Sequence, residues 1–333
     1  MERFLVTGGL GFIGSNFVRH ILSSRKKVEV LNVDYMGPAS NPANLNSLRG
    51  NPRYKFVKGN IANPKLCRKV VSTADSIINF AAETHVDRSI AGPSPFLDSN
   101  VIGTFNLLEA CRESNIKKIV HISTDEVYGS IDSGSFNEAS PLNPSSPYSA
   151  TKAAGDMMAK AWHSTYQVPV VILRCTNNFG PYQHPEKFIP KTIIRALRNL
   201  PVPLYGGGRQ IRDWIYVEDF CTAIEHSLDR GHPGEVYNIS AGNELTNREV
   251  AQTVLKQLGR PRSMLVETED RPGHDFRYSL SSNKARRELH WKPGKTMREA
   301  LALTVDWYLA NTKWWHDLAS SKVLSAQPWK EKW

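Results

Sequence analysis

Two residues one helical turn apart could carry out proton transfer. Tyr148 and Lys152 lie four positions apart, at the start of a helical pattern that runs from Tyr148 to Tyr166. Side chains at this spacing share one face of a helix. A free tyrosine, with a pKa of about 10, is a weak base at neutral pH, but a neighbouring ammonium favours its phenolate. The same spacing is common by chance in surface pairs, so the surrounding elements must decide between the two interpretations.

A second polar segment places two carboxylates side by side. Thr124, Asp125 and Glu126 follow a predicted strand from Lys118 to Ile122. At the carboxyl end of a strand the chain turns, so that both carboxylates can enter one site. Such a pair supplies an acid and a base where its surroundings push the two pKa values apart. A solvated acidic turn is the alternative interpretation of this segment in isolation.

Three glycines near the amino terminus indicate a dinucleotide site. Gly8, Gly11 and Gly14 follow a predicted strand and open a predicted helix. In this context glycines let the backbone approach a pyrophosphate, which the helix amino terminus then faces. Asp34 ends the next strand, where its carboxylate can accept hydrogen bonds from a ribose and repel a 2′-phosphate. The pattern favours NAD over NADP, with a structural glycine turn and a capping aspartate as the alternatives.

Strands alternate with helices along the first half of the chain. We predict strands at Arg3 to Val6, Val28 to Val33, Tyr54 to Val57, Ser76 to Phe80, Lys118 to Ile122 and Val168 to Leu173, and helices at Ser15 to Leu22, Pro95 to Glu113 and Tyr148 to Tyr166. This alternation, without hairpin signals, predicts an α/β fold with a doubly wound parallel sheet of Rossmann type. We therefore expect a Rossmann domain at 1–174, a smaller substrate-binding lobe over most of 175–310 and a Trp-rich extension at 311–333.

Length and composition limit the classes of protein. A chain of 333 residues with 40% hydrophobic and 22% charged residues is typical of a globular protein of about two domains. The formal charge of +10 suits an anionic ligand, and the dispersed basic residues argue against nucleic acid as a partner. Four scattered cysteines suggest reduced thiols and offer no metal-binding spacing. With no apolar run long enough for a membrane span and no leader, we expect a cytoplasmic protein that binds neither membrane nor metal.

Several longer segments carry a resemblance to a known family. They are Thr7 to Gly14, Ala81 to Ser89, Thr124 to Glu126, Tyr148 to Lys152, Arg174 to Asn178, Pro185 to Lys187, Arg212 to Trp214 and Asp270 to Asp275. Over residues 1 to about 310 the chain resembles the dTDP-glucose 4,6-dehydratases, of the extended short-chain dehydrogenase/reductase superfamily. The glycine turn and the Tyr-Lys pair mark only the superfamily, whereas Thr124 to Glu126 and Arg271 to Asp275 are more specific to the dehydratases.

The resemblance implies two sets of binding residues. NAD is expected to contact Gly8, Gly11, Phe12, Ile13, Gly14, Asp34, Asn60, Ile61, Phe80, Ala81, Ala82, Thr84, Ser99, Tyr148, Lys152 and Asn178. A nucleotide sugar is expected to contact Thr84, Thr124, Asp125, Glu126, Asn177, Glu186, Lys187, Pro203, Tyr205, Arg212, Asn247, Arg271 and His274. Arg212 and Arg271 suit a pyrophosphate because guanidinium forks match phosphate oxygens, with a surface or interdomain ion pair as the alternative for each.

The implied reaction converts dTDP-glucose to dTDP-4-keto-6-deoxyglucose and regenerates NAD. Tyr148, held by Lys152, would remove the C4 hydroxyl proton while hydride passes to NAD, and Thr124 would hydrogen-bond that oxygen. Glu126 would then take the C5 proton and Asp125 would protonate the departing C6 hydroxyl, before hydride returns to C6. The alternatives are a nucleotide-sugar 4-epimerase or decarboxylase, a dehydratase of another nucleotide hexose, and a noncatalytic dinucleotide-binding protein. An epimerase needs no acid at C6, so the carboxylate pair favours the dehydratase.

Two segments depart from the family pattern around the cofactor. Tyr35 to Ala39 replaces a Lys-Leu-Thr-Tyr-Ala-Gly-like stretch, and Asn60 stands where an aspartate is common. Both changes weaken the expected contacts to the adenosine and leave the chemistry untouched.

The resemblance also implies a homodimer. The helices Pro95 to Glu113 and Tyr148 to Tyr166 would pair across a twofold axis as a four-helix bundle. The four indoles from Trp314 to Trp333 are expected to pack on the lobe or on a partner subunit. A partner-recognition tail is the alternative for this extension.

Overall fold

The structure, a computed structural model, describes residues 1–332. Its strands are β1 (Glu2–Thr7), β2 (Val28–Asp34), β3 (Tyr54–Lys58), β4 (Ser76–Asn79), β5 (Lys118–Thr124), β6 (Val170–Cys175), β7 (Asn177–Phe179), β8 (Val202–Tyr205), β9 (Ile211–Tyr216), β10 (Val236–Ile239), β11 (Glu244–Thr246) and β12 (Leu265–Thr268). Its helices are α1 (Phe12–Ser24), α2 (Pro64–Val71), α3 (Val86–Ala91), α4 (Ser94–Phe96), α5 (Thr104–Arg112), α6 (Pro147–Tyr166), α7 (Phe188–Leu197), α8 (Val217–Arg230), α9 (Asn247–Gln257), α10 (Asn283–Glu288), α11 (Met297–Ala310) and α12 (Thr312–His316). A π-helical segment (Leu97–Gly103) and 3-10 turns at Pro42–Leu48, Asp125–Tyr128, Gly206–Gly208, Arg262–Met264 and Pro328–Lys330 lie between them. Trp333, the last indole of the predicted extension, lies outside the described residues.

The central sheet has the strand order β10, β6, β5, β4, β1, β2, β3, and each neighbouring pair is parallel. In its middle, Leu5 of β1 lies beside Leu31 of β2 and Ile77 of β4. Parallel strands of this kind are apolar on both faces because helices cover both. The prediction of an α/β fold with a Rossmann-type sheet is confirmed.

Helices form one layer on each face of this sheet. On one face α1 and α8 pack together, with Phe17 and Phe220 buried between helices and sheet. On the other face α2, α5 and α6 bury side chains that include Leu107 and Ala159. Every strand therefore ends at the same edge of the sheet, and the loops that follow the strands meet there.

The chain after β6 builds a smaller lobe next to that edge. The lobe contains the short sheets β11–β9–β7 and β12–β8, and α7, α9 and α11 enclose its own core around Ile193, Val254 and Leu301. However, β10 and α8, which come from the same stretch, belong to the central sheet and its helical layer. The predicted domain bounds of 1–174, 175–310 and 311–333 stay a prediction. The exception is that β10 and α8 come from 175–310 but pack with the central sheet.

The helix predicted from Pro95 to Glu113 is interrupted by the π-helical segment. Asn100 in this segment donates to the Glu83 carbonyl at 3.1 Å and to the Thr151 hydroxyl at 3.0 Å. These bonds tie the wider turn to the loop after β4 and to α6, and π turns of this kind are frequent at functional sites. Ser99, one of the expected cofactor contacts, lies in the same turn.

Two further observations concern the cysteines and the character of the helices. The four cysteines are buried and free. Among residues 1–332, none of the helices has both the length and the apolar character needed to cross a membrane.

Candidate active site

Two cavities open at the carboxyl edge of the central sheet, where the lobe faces it. The first cavity, of about 250 Å³, follows the glycine turn and the ends of β4 and β5. The second cavity, of about 160 Å³, lies between the sheet edge and the lobe. The two cavities share Thr84, Glu126, Asn177, Glu186 and Lys187. Ligands bound in the two cavities can therefore meet and react at this junction.

The glycine turn brings bare backbone to the wall of the first cavity. Gly8 has a φ of +73°, and a Cβ at this position would lie 2.7 Å from the Ala81 nitrogen. A Cβ on Gly14 would collide with the Gly8 carbonyl oxygen, so neither position accepts a side chain. Gly11 begins α1 without a side-chain cap, which leaves the first N–H groups of the helix for an anionic ligand. The turn thus fits the pyrophosphate of a dinucleotide.

Asp34 ends β2 beside this turn. Its Oδ2 accepts a hydrogen bond from the Leu10 N–H at 3.0 Å, while its Oδ1 accepts from the Met36 N–H at 2.8 Å and the Ser40 hydroxyl at 2.7 Å. The side chain also lines the first cavity. Because each carboxylate oxygen can accept two bonds, Oδ2 retains capacity for a ribose hydroxyl. Asp34 can therefore stabilise the local turn, as the capping interpretation states, and also bind a ribose, as the cofactor interpretation states.

Tyr148 and Lys152 line the first cavity from the beginning of α6. The Lys152 ammonium donates to the Ile122 carbonyl at 2.6 Å, which fixes it beneath the end of β5. Burial raises the pKa of Tyr148, and a hydrogen bond with Thr84 acts in the opposite direction. The charge of Glu126 adds to the effect of burial, so the surroundings that the polypeptide supplies raise this pKa. That Lys152 and the positive nicotinamide ring of a bound cofactor together favour the phenolate stays a prediction.

Asp125 and Glu126 differ in their surroundings although they are adjacent. Both lie in the 3-10 turn after β5, where Thr124 accepts from the Glu126 N–H at 3.3 Å. Burial, and then the charge of Glu126, raise the pKa of Asp125 well above its ordinary value. Burial also raises the pKa of Glu126, but the positive charges of Arg271 and Arg212 oppose that rise. After burial, the largest influence is the charge of Glu126 at Asp125, which raises the pKa further, and the charge of Arg271 at Glu126, which lowers it. This difference favours Asp125 as the acid and Glu126 as the base of an acid–base pair.

Charged side chains line the second cavity. Arg271 pairs with Asp87, with 2.9 Å between Nη1 and Oδ1. Arg212 is 5% exposed, donates to three backbone carbonyls and lies 4.2 Å above the centre of the Tyr278 ring. Among residues 1–332, no carboxylate lies within 4.0 Å of its guanidinium nitrogens. Arg212 is thus a buried positive charge for which an anionic ligand is a suitable partner.

The expected site residues all lie at these cavities. Every residue expected to contact NAD lines the first cavity. The residues expected to contact a nucleotide sugar line the second cavity, except Thr124 and Asp125, which line the first. Their individual roles in binding and catalysis stay predictions, because a position in a cavity wall does not test them.

Similarity to known proteins identifies the family of this chain. Residues 5–304 match the sequence model described as GDP-mannose 4,6 dehydratase. The chain belongs to this family. It is 47% identical over 333 residues to a dTDP-glucose 4,6-dehydratase from Streptomyces niveus, with 98% of each chain covered. The predicted resemblance to the dehydratases is confirmed.

Solved structures of relatives share the fold. The dTDP-glucose 4,6-dehydratase DesIV from Streptomyces venezuelae, solved with NAD and TYD bound, has a TM-score of 0.93 and 48% identity, covering 95% of this chain and 99% of its own. The UDP-glucuronic acid 4-epimerase from Bacillus cereus, solved with UDP-glucuronic acid and NAD, has a TM-score of 0.87 and 29% identity, covering 92% and 99%. Because the fold is common to both reactions, the fold does not distinguish them, and the distinction must lie in the site.

Some side chains of the second cavity lie outside the sequence prediction of site residues. Asp87 pairs with Arg271, and its place in the Ala81 to Ser89 segment was the available signal. Lys191 lies one helical turn beyond Lys187, so the helical spacing of α7 could have indicated it. Trp214 comes from the lobe, and only the tertiary packing of β9 brings it to the wall.

Proposed function

We propose that the chain is an NAD-dependent dTDP-glucose 4,6-dehydratase, a hydro-lyase. One observation carries this function: Tyr148, Lys152, Asp125 and Glu126 line one cavity, and Glu126 stands where it joins the second. Oxidation of a sugar needs the tyrosine and the lysine, whereas elimination of water also needs an acid and a base. The names of the dehydratase relatives support the same reaction.

The wall of the first cavity is compatible with bound NAD. Gly8 and Gly14 keep side chains out of the wall, and the buried Asn178 has an amide oxygen that has no hydrogen-bond partner within residues 1–332. Asp34 and Lys152, together with these residues, would hold the cofactor. When bound, NAD would supply the acceptor for the hydride removed from C4 and the donor for its later return.

Tyr148 starts the reaction by accepting the proton of the sugar C4 hydroxyl. Lys152 lies on the same helix face, and its ammonium, together with the positive nicotinamide ring, would favour the phenolate against the effect of burial. Thr124 lies at the end of β5 and would hydrogen-bond the C4 oxygen. The product of this step is a C4 ketone, which acidifies the proton on C5.

The carboxylate pair then removes water across C5 and C6. Glu126, where neighbouring arginines oppose the rise of the pKa caused by burial, accepts the C5 proton. Asp125, whose pKa is raised by burial and by the charge of Glu126, donates a proton to the departing C6 hydroxyl. One proton leaves C5 and one hydroxyl leaves C6, so the step balances as the loss of one water.

The second cavity suits a nucleoside diphosphate sugar. Arg212 and Arg271 supply guanidinium groups for the two phosphates. The hexose would reach Glu126 at the junction, and the nucleoside would extend toward Pro203 and Tyr205, which line only the second cavity. The choice of thymine as the base is supported by the names of the relatives.

Product analysis with a panel of nucleotide hexoses tests this proposal. By mass spectrometry dTDP-glucose should lose the mass of one water, and UDP-glucose and GDP-mannose should react far more slowly. A product of unchanged mass would overturn the dehydratase proposal in favour of an epimerase. A higher kcat/KM with another nucleotide hexose would mean that the substrate carries that other base.

A homodimer is supported by an exposed apolar surface on the helices of one face. Leu97, Ile102 and Phe105 before and within α5, and Met157 and Tyr166 on α6, are 39–57% exposed. A symmetric four-helix bundle would bury this surface. Sedimentation at micromolar concentration should show a dimer that Phe105→Glu dissociates. A wild-type chain that sediments only as a monomer would contradict the proposal.

The cytoplasm is the proposed location. All four cysteines are buried free thiols, as is usual in a reducing compartment. Cell fractionation should recover the chain with cytosolic markers, and recovery with membranes would contradict the proposal.

A further inference from the structure

The C-terminal segment, residues 317–332, runs along the lobe toward the second cavity. Arg198 donates to the Ala319 carbonyl at 2.7 Å, and Lys191 donates to the Ser325 carbonyl at 3.3 Å. Ala319 itself is buried in the core of the lobe. Since Lys191 also lines the second cavity, the segment is fastened to the helix that forms part of the cavity wall.

Trp329 in this segment packs against another residue of the wall. Its ring centre lies 4.9 Å from that of Tyr205, and the ring planes meet at 85°, an edge-to-face contact. Trp329 is only 8% exposed. Tyr205 ends β8 and lines the second cavity. The indole therefore restricts the orientation in which the Tyr205 ring faces a ligand.

The same segment holds the loop that carries His274. Lys330 pairs with Glu269, with 2.6 Å between Nζ and Oε2. The next residue, Asp270, pairs with the His274 ring at 2.5 Å, and this ring lies 6.5 Å from that of Tyr205. Tyr205, His274 and the C-terminal segment thus form one packed group behind one end of the second cavity.

This end of the cavity is where the nucleoside of a nucleotide sugar would lie. The reacting hexose must reach Glu126 at the junction. The diphosphate follows the hexose, and Arg212 and Arg271 are the guanidinium groups suited to it. Because the ligand is linear, the remaining wall, which includes Pro203 and Tyr205, is left for the nucleoside.

We propose that Trp329 is a positioning residue for the nucleoside end of the substrate and that it acts through Tyr205. The identity of the ligand rests on the proposed function. Because Tyr205 lines only the second cavity, loss of the indole should weaken binding of the nucleotide and leave the chemical steps unchanged. The Trp-rich extension would then serve the site of its own subunit.

The test compares Trp329→Ala with the wild type in binding and in turnover. We expect the Kd for dTDP, measured by calorimetry, and the KM for dTDP-glucose to rise about 3- to 10-fold, the size expected for one aromatic pair, with kcat unchanged. Trp329→Phe keeps a ring and should remain close to wild type. Trp314→Ala is the matched control, because that indole contacts Asn44 and Tyr182 instead, and it should keep the wild-type Kd for dTDP.

A double-mutant cycle separates positioning from general loosening of the lobe. In a Tyr205→Ala background, Trp329→Ala should cause no further rise in the Kd for dTDP, because its partner is already gone. Additive losses, or an unchanged Kd in folded Trp329→Ala, would overturn the inference. The Kd for NAD reports on the fold. If Trp329→Ala loses NAD as well, Trp329→Leu, which fills more of the site, replaces it in the cycle.

The inference and the proposed function fail in different ways. A wild-type chain that binds dTDP but does not dehydrate dTDP-glucose would overturn the proposed function, and the cycle with dTDP would still decide the role of Trp329. An active wild type with an unchanged KM in Trp329→Ala would overturn only the role of Trp329.

Discussion

The first and second cavities are built in different ways. The glycine turn follows one strand of the central sheet, Asp34 ends the next, and the segment Thr124 to Glu126 lies at the end of a third. The second cavity takes its wall from segments spread between Thr84 and Tyr278. Parallel strands bring their carboxyl ends to one edge whatever the path of the helices between them. The first cavity therefore follows from local sequence patterns, whereas the second depends on how the lobe packs.

The two cavities also bind charge by different means. The first presents backbone N–H groups at the start of α1, which folding holds in place. The second presents the side chains of Arg212, Arg271 and Lys191, partly balanced by Asp87. We therefore expect substitutions of Tyr148, Asp125 or Glu126, which line the first cavity, to act mainly on turnover, and substitutions of the arginines of the second cavity to act mainly on KM.

The largest effect should come from Tyr148→Phe in the first cavity. Removal of the general base should lower turnover by about 10²-fold or more, and stopped-flow absorbance should show no reduced cofactor. Tyr166→Phe, at the opposite end of α6, is the matched control and should keep wild-type turnover. Turnover of Tyr148→Phe close to that of the wild type would remove the tyrosine from the mechanism.

Asp125→Asn and Glu126→Gln should separate elimination from oxidation. Both variants keep Tyr148 and Lys152, so oxidation at C4 should continue while loss of water slows by about 10²-fold. Quenched-reaction mass analysis should then detect a 4-keto hexose, together with a transient absorbance of reduced cofactor. Loss of water at the wild-type rate would show that other residues supply the acid and the base.

The contrast between the cavities also explains what the sequence could predict. The glycine turn and Asp34 have a fixed spacing to their strands, so local patterns were sufficient. By contrast, the place of β10 in the central sheet and the π-helical segment depend on contacts between distant parts of the chain. The raised pKa of Tyr148 could not be predicted from the sequence either, because it is caused by burial, and burial is a property of the tertiary structure.

Arg212→Gln should change the second cavity alone. Loss of a buried guanidinium should raise the KM for dTDP-glucose about 10- to 100-fold, with a much smaller change in the Kd for NAD. Arg209→Gln removes an exposed arginine from the neighbouring loop and should leave both constants unchanged. An equal loss of NAD affinity in Arg212→Gln would show that the two cavities are not separable.

Asp34→Ala should act on the first cavity and on the choice of cofactor. Without the carboxylate, repulsion of a 2′-phosphate is removed, and the preference for NAD over NADP should fall about 10-fold. Ser40→Ala is the control, because it removes one hydrogen bond to Asp34 and keeps the charge. Equilibrium binding of both cofactors gives the ratio. Equal or tighter binding of NADP to the wild type would contradict the assignment of Asp34 to the ribose.

The smallest effect concerns the contribution of Asp125 to the stability of the folded chain. Burial raises the pKa of Asp125 well above its ordinary value of 3.8, so the folded chain holds this proton more tightly than the unfolded chain. The corresponding stability is complete below the unfolded pKa and is lost as pH rises toward the folded pKa. Asparagine cannot ionise, so the Tm of Asp125→Asn minus that of the wild type should increase from about pH 4 to about pH 8, by about 2 °C for each kcal/mol. Asp132→Asn, at an exposed position, should show no such trend. A difference that stays constant with pH would mean that folding does not raise the pKa of Asp125, and the assignment of Asp125 as the acid would fail.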